Sequence, residues 1–189
     1  TTGFEYDKLG RLTKSTDAAG AYEQYTLNAF GERVTVRNKL GNDTTYTFDK
    51  RGLVLSETLP VTTKTSGGST ISVVNAHAYD ARGNCTQTVE AQGAAEARTT
   101  NYAYDKLDRL TTTTHDQITV VNDDLTSTTG VTPTESVKYD RRGNVIETID
   151  AAGARTLAWY DDLDRAVAQD AQPEKPSGVE KGVLTRTPD

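Results

Sequence analysis

Apolar and polar residues alternate along this chain in short stretches, each closed by turn-forming residues. Phe4/Tyr6, Tyr25/Leu27, Tyr46/Phe48, Tyr102/Tyr104 and Val137/Tyr139 stand two apart, with Glu5, Thr26 and Lys138 among the polar residues between them. A period of two puts each pair on one face of a β-strand. The segments are rich in Thr, Val, Tyr and Ile, which suit a pleated, half-buried surface. In register, the pairs form an apolar and aromatic stripe across consecutive hairpins, each cross-strand neighbour contributing roughly 0.2–1 kcal/mol. No segment sustains a 3.6-residue period for long, so the expectation is β throughout.

The punctuation is itself periodic. Tyr6-Asp7-Lys8-Leu9-Gly10-Arg11 recurs around Asp49 and Gly52, at Tyr79, Asp80 and Gly83, and at Tyr139, Asp140 and Gly143. Tyr104-Asp105 and Tyr160-Asp161 open copies with Asp108 and Asp164 in the glycine slot, and Leu27–Glu32, with Gly31, is the most diverged. Tyr6, Leu27 and Phe48 are 21 residues apart, as are Tyr139 and Tyr160. A fixed period of this length marks an array. Halfway through the unit, Asp17–Gly20, Asn38–Gly41, Glu90–Gly93 and Asp150–Gly153 repeat the same form. Asp or Asn first and Gly fourth is the signature of a type I turn closed by a glycine bulge. Asp108 and Asp164 are tolerable there because Asp enters the left-handed region more readily than most residues. The unit is strand–turn–strand–turn, an antiparallel hairpin joined to the next by an equally tight turn.

The spacing breaks near 60–75, around Ser66–Ser69, and near 117–133, where Ile118–Val121 faces a Leu125–Thr129 arm across Asn122-Asp123-Asp124. Both read as lengthened hairpin tips, which cost little in closure entropy and leave the sheet in register. The repeat array is expected over residues 1–170. Residues 171–189, with Pro173, Pro176 and Pro188, read as an irregular tail or the start of a further repeat.

Composition narrows the picture. Only 34% of residues are hydrophobic, too few to fill a two-layer core and suited to a sheet with one apolar face. The net charge of −6 is spread without runs and argues against nucleic acid as a partner. The single Cys85 excludes an internal disulfide. There is no membrane-spanning apolar stretch. The chain opens inside the repeat pattern and reads as a piece of a longer array. Such a piece bares strand edges and an apolar face, so it is expected to curl over its stripe or to self-associate.

Candidate chemistry is sparse. His77 occupies the Phe4-equivalent slot and reads as a stripe residue, Cys85 as a small strand residue, and His115 lies in another repeat. No nucleophile–base or phosphate-loop motif accompanies them, so no catalytic residue and no cofactor is assigned. The acids lie about one per turn, unlike a calcium cage of six to eight oxygens, and no metal ligand is assigned. Trp159 is out of phase with the stripe and should face away from it, as an edge cover in preference to a contact. With nine tyrosines and a Thr-rich face, extracellular adhesion or carbohydrate binding is the alternative to a structural wall. Against it, the fixed place of the tyrosines in the repeat favours cross-strand packing, with hydroxyls reaching water or turn backbone.

The Tyr6–Leu12 motif followed by Asp17–Gly20 resembles the YD repeat of the RHS (rearrangement hot spot) family, which includes the C components of Tc toxins and the teneurin shell. The resemblance runs from Phe4 to about Val167. It implies hairpins forming one continuous, strongly curved, spiralling sheet, a segment of a hollow shell whose neighbours are further repeats. In bacterial members the shell encloses a C-terminal toxin polypeptide, and the whole protein is secreted or lies at the cell surface. The family's Asp-Pro-x-Gly autoproteolysis region has no match here, so the resemblance implies wall without cutting machinery, and no enzyme.

Overall fold

The computed structural model describes residues 1–121 and 125–172; the Asn122–Asp124 tip and residues 173–189 of the expected tail lie outside them. It is all-β and antiparallel. Two compact units divide the chain, residues 1–102 and 103–189. In the first, β1 (Gly3–Tyr6), β2 (Leu12–Thr16), β3 (Tyr22–Leu27), β4 (Arg33–Arg37), β5 (Asp43–Phe48), β6 (Val54–Lys64), β7 (Thr70–Tyr79), β8 (Cys85–Glu90) and β9 (Arg98–Tyr104) pair each with the next. In the second, β10 (Leu110–His115), β13 (Thr134–Tyr139), β14 (Val145–Ile149), β15 (Arg155–Tyr160) and β16 (Ala166–Gln172) do the same. Between β10 and β13, β11 (Ile118–Val121) and β12 (Ser127–Val131) form a separate two-stranded sheet. Within each unit the strand order follows the sequence.

The turns explain this monotony. At Asp7–Gly10 the Gly10 N–H bonds the Asp7 carbonyl at 3.0 Å and the Asp7 N–H bonds the Arg11 carbonyl at 2.9 Å. Asp7 Oδ1 accepts the N–H groups of Leu9 and Arg11 at 2.8 and 2.9 Å. The same side-chain pair of bonds recurs at Asp17, Asn28, Asn38, Asp49, Asp80, Asp105, Asp140, Asp150 and Asp161. Each hairpin therefore nucleates on contacts made within five residues. Asp108 and Asp164 take φ of 61° and 60° in the glycine slot, as their type allows.

Two turns differ from the sequence reading. At 90–93 the short bond runs from the Ala94 N–H to the Ala91 carbonyl, and Ala91 itself takes φ 49°. Glu90 is one methylene too long for the local bond an Asp makes, and Gly83 to Tyr104 is four residues longer than Gly10 to Leu27, which moves the turn onward. The return arm of the second insertion is Ser127–Val131, two residues later than Leu125–Thr129, because Leu125 is spent on a positive φ of 63°. In the first insertion Thr65 stands in for Asp: its Oγ1 accepts the Ser69 N–H at 3.1 Å.

The two turn classes also differ in register, which the sequence does not announce. In hairpins opened by the Tyr-Asp motif, Tyr6 opposes Leu12 while Glu5 opposes Lys14, leaving Thr13 extra. Val34, Leu55, Thr86, Ile146 and Val167 are the corresponding extra residues. The half-unit pairs β2–β3, β4–β5, β8–β9 and β14–β15 run without a shift. An extra residue bends its strand and raises its right-handed twist, so outside the lengthened β6–β7 pair, which shifts between Thr58 and Thr62, the bend is applied at the Tyr-Asp end of the hairpin.

Burial is shallow. Among the described residues Tyr25, 8% exposed, is the one buried apolar side chain, and no side chain is fully enclosed. The alternation holds: Leu27, Tyr46, Phe48, His77, Tyr79, Val137 and Tyr139 are half-buried, while Thr26, Thr47, Ala78, Lys138 and Trp159 between them are exposed. Without a deep core, stability resides in each hairpin and its contact with the next, the nearest-neighbour regime of repeat proteins.

Candidate functional site

The densest chemistry lies along the row of Tyr-Asp turns. The aspartate that caps each turn has a second oxygen, and it holds the side chain in the motif's sixth position. Asp7 Oδ2 binds Arg11 Nε at 2.7 Å, Asp105 Oδ2 binds Arg109 Nε at 2.7 Å, and Asp161 Oδ2 binds Arg165 Nε at 2.7 Å. Asn84 and Asn144 do the same from Nδ2 to Asp80 and Asp140 at 3.0 Å. Where the cap is Asn28 the sixth residue is Glu32 and the bond reverses, the amide donating to the carboxylate. Where the sixth residue is Leu53, Arg51 reaches back to Asp49 at 2.8 Å instead.

The held cations then reach the next turn. Arg11 Nη1 donates to the Asn28 carbonyl at 3.0 Å, and Arg109 Nη1 to the Asp140 carbonyl at 3.2 Å. Arg51 Nη1 donates to the Asp80 and Ala81 carbonyls at 2.8 and 3.3 Å, and Arg142 Nη1 to that of Asp162 at 2.8 Å. A guanidinium fixed by one carboxylate and aimed at a carbonyl loses little rotamer freedom on bonding.

Glycine in the fifth position leaves room for this reach. A Cβ on Gly52 would stand 3.0 Å from Glu32 Oε1, and one on Gly31 3.6 Å from Arg11 Nη1. Gly83 faces Leu53 and Gly143 faces Arg109 in the same way. Where Asp164 fills the slot, the preceding unit offers the short Asn144, whose Nδ2 lies 2.7 Å from Asp164 Oδ1.

The motif tyrosines tie the strands beneath the turns. The hydroxyls of Tyr79, Tyr139 and Tyr160 donate to the carbonyls of Val54, Leu110 and Val145 at 2.9, 2.9 and 3.0 Å. Each acceptor opens the return strand of the preceding hairpin, not a turn. The stripe is consequently held by polar bonds and cations as much as by ring packing. Arg109 lies over the Tyr139 ring at 4.4 Å and Arg33 over Tyr25 at 3.9 Å, while Tyr46 and Phe48 form a tilted ring pair at 6.5 Å.

Electrostatics follow the bonds. The backbone N–H of Arg11 holds Asp7 below the ordinary aspartate range, and the Arg165 N–H does so for Asp161. The side chains of Asn84, Arg109 and Asn144 lower Asp80, Asp105 and Asp140. Lys39, bonded to Asp17 Oδ2 at 2.9 Å, lowers that group and joins two half-unit turns on the other row. With both oxygens engaged, these carboxylates work as turn locks.

Within each unit the expected site residues stand at the Tyr-Asp turns: Tyr6, Asp7 and Gly10, then Gly31, Asp49 and Gly52, then Tyr79, Asp80 and Gly83 in the first unit. Tyr104 and Asp105, Tyr139, Asp140 and Gly143, then Tyr160 and Asp161 follow in the second. The sequence reading assigned no job to the sixth position, although its alternation of Arg, Glu and Asn against the cap was visible. His77 sits half-buried on β7 opposite Thr88, and Cys85 starts β8 with its thiol 3.4 Å from the Gln87 carbonyl. Among the described residues no three His, Cys, Asp or Glu side chains gather as metal ligands. No helix long and apolar enough to cross a membrane occurs there. Trp159 is 47% exposed, facing away from Tyr160 beside Ala168 on a strand flanked on both sides, so it covers no edge of the described sheet.

A sheet in strict chain order, with capped turns stitched hairpin to hairpin, defines an open antiparallel hairpin array. The RHS Repeat family model matches residues 6–43, and the same turn chemistry continues to Asp164. The chain's fold matches solved structures of Tc toxin components at low identity. The complex of TcdB2, TccC3 and Cdc42 aligns over 78% of this chain with a TM-score of 0.56 and 17% identity. TcdB2–TccC3 without its hypervariable C-terminal region aligns over 88% with a TM-score of 0.59 and 17% identity. The Photorhabdus luminescens Tc holotoxin pore with a TccC3 point mutation aligns over 88% with a TM-score of 0.52 and 17% identity. The chain spans 7%, 9% and 10% of those chains' lengths. No curated protein matches it.

Proposed function

We propose that this stretch is a non-catalytic wall segment of a larger RHS-repeat shell, enclosing a C-terminal polypeptide of the toxin-effector kind in a secreted or cell-surface bacterial protein. The carrying observation is the stitching of the Tyr-Asp turns: at four of them an arginine donates to the backbone of the next turn, a use of charge that builds wall and leaves the capping carboxylates committed. The bulges at Thr13, Val34, Leu55, Thr86, Ile146 and Val167 supply a recurring bend at the Tyr-Asp turns, which suits a closing surface. The Tc toxin likeness supports the reading at the level of fold. In this role the repeat array occupies residues 1–170, the motif residues are structural, and the partners are neighbouring repeats and the enclosed chain.

Electron microscopy of the longer protein carrying this segment tests the proposal. It should show a closed hollow wall with polypeptide density inside; an open assembly, or a closed one permanently empty, would reject it. The exposed Trp159 favours one second reading, adhesion to a glycan. A glycan panel separates the two: the wall reading expects no defined binder, whereas binding lost on Trp159→Ala would favour adhesion.

A further inference from the structure

The arginines that cross from one Tyr-Asp turn to the next come from two motif positions. Arg11 and Arg109 stand in the sixth. Arg51 and Arg142 stand in the fourth, in turns whose sixth residue is Leu53 or Asn144. The Leu27–Glu32 turn offers neither. Its fourth residue is Phe30, 90% exposed at the tip, and its sixth is Glu32, whose carboxylate has no hydrogen to give. The nearest cation, Arg33, stands one place further on and lies over Tyr25 of its own hairpin at 3.9 Å.

The second kind of tie is missing at the same joint. The hydroxyls of Tyr79, Tyr139 and Tyr160 each bond a carbonyl of the preceding hairpin. The motif residue that follows the Leu27–Glu32 turn is Phe48, on β5, which carries no hydroxyl. Leu27 lacks one too, yet its hairpin is held to the one before it by Arg11, by Lys39 on Asp17 and by Lys14 over the Tyr22 ring at 4.7 Å. Between β4 and β5 the backbone ladder is joined, among the described residues, by Arg37 bonded to Asp43 at 2.7 Å. Both side chains of that pair are about half-exposed, so salt screens it.

We propose that the β4–β5 joint is a seam built into the array, the place where it parts first, with the Asn38–Asn42 turn as its hinge. In a hairpin array stability is the sum of hairpin and neighbour terms, so opening starts where a neighbour term is smallest. Residues 1–37 then move as one block, because Arg11, Lys14 and Lys39 keep β1 to β4 together. Parting bares the ladder groups of Thr35–Arg37 on one side and Asp43–Thr45 on the other. The seam is a property of this joint and stands whether or not the array encloses another chain.

Backbone hydrogen exchange, read joint by joint as protection factors, tests it. Amides whose ladder bonds cross β4–β5 should be about tenfold less protected than those crossing β2–β3 or β6–β7, the difference one charge-assisted bond makes. Fraying from residue 1 predicts the opposite order, with β2–β3 opening before β4–β5. Two repairs should close the seam. Asn28→Asp with Glu32→Arg rebuilds the Asp7–Arg11 pair and aims the new guanidinium across Gly52 at the Asp49 carbonyl. Phe48→Tyr supplies a hydroxyl for the Arg33 carbonyl, in the place of the Tyr79 bond to Val54. Each repair should raise protection at β4–β5 severalfold, and both together about tenfold, while β6–β7 stays as it was. Protection at β4–β5 equal to or above that at β2–β3 in the unmodified chain would overturn the proposal. So would repairs that leave β4–β5 exchange unchanged, that slow exchange equally at every joint, or that lower the melting temperature.

Discussion

The guanidinium of Arg109 lies 4.4 Å from the centre of the Tyr139 ring, between the Asp105 carboxylate that holds it and the Asp140 carbonyl it reaches. One side chain thus joins two repeats through a ring, a carboxylate and a backbone acceptor. Arg109→Ala should destabilise the chain by about 1–2 kcal/mol, the sum expected of a cation–ring contact and a charge-assisted bond at a half-buried site. Arg109→Lys should recover little, because an ammonium cannot bond carboxylate and carbonyl with one planar fork. Denaturant midpoints at fixed slope are the measurement, and full recovery by lysine would mean the charge alone matters.

The ring below offers a separate test. Tyr139→Phe and Tyr160→Phe keep the stripe and remove only the hydroxyl bond to the preceding hairpin. Each should cost about 0.5–1.5 kcal/mol, the net worth of a neutral hydrogen bond. Leu27 and Phe48 occupy the same slot without a hydroxyl, so Phe48→Tyr should be neutral or stabilising. A stability loss for Phe48→Tyr matching those of the two deletions would show that ring packing, not the bond, decides the slot.

How much of this could be read beforehand depends on the range of the interaction. Asp7, Asp80 and Asp140 announced their turns because the bonds they make span two to four residues, and local geometry follows from local sequence. The strand alternation around Tyr46 and Val137 was legible for the same reason. The tasks of Arg11 and Arg109 are not legible in the motif, since their acceptors lie in the next hairpin, 17 and 31 residues away. The bulges at Thr13 and Ile146 were silent because a one-residue slip leaves no composition mark. Glu90 misled because it resembles Asp in charge and differs in reach.

The glycine slot separates strain from space. Gly10 and Gly52 have φ of 76° and 82°, so an alanine at either meets the same left-handed cost, on the order of 1 kcal/mol. Only at Gly52 does the new Cβ also press on Glu32 Oε1 at 3.0 Å. Gly52→Ala should therefore be more destabilising than Gly10→Ala, and Glu32→Ala should erase most of the difference in a double-variant cycle. Equal losses at the two sites would mean the Glu32 tip swings aside freely.

Acid should loosen the turns over a defined window. Asp7, Asp17, Asp80, Asp105, Asp140 and Asp161 are each held below the ordinary value of 3.8 in the folded chain. The folded state then binds protons less readily than the unfolded one. The stability this contributes is fully present above the unfolded value and is lost as pH falls through the folded values. Melting temperature should stay level from neutral pH down to about pH 5 and drop steeply below about pH 4. A decline already complete by pH 5 would place the controlling groups elsewhere.

The second insertion should be removable without disturbing the sheet beneath it. Thr112 opposes Ser136 and Thr114 opposes Thr134, the same register Lys14–Gln24 and Thr16–Tyr22 keep across an ordinary half-unit turn. The His115 N–H closes on the Pro133 carbonyl at 3.0 Å, so the β11–β12 hairpin projects beyond a neck that is already paired. Replacing residues 115–133 with the Asp17–Ala21 turn leaves every strand residue of β10 before His115 and all of β13 in place. The shorter loop should stabilise by roughly 1 kcal/mol through closure entropy, offset by whatever β11 and β12 contribute of their own. The melting temperature should change by only a few degrees, with the β signal reduced by the lost hairpin alone. If the variant fails to fold, the hairpin's apolar residues Ile118 and Val120 must be supporting the sheet, and the insertion would have to be read as part of its foundation.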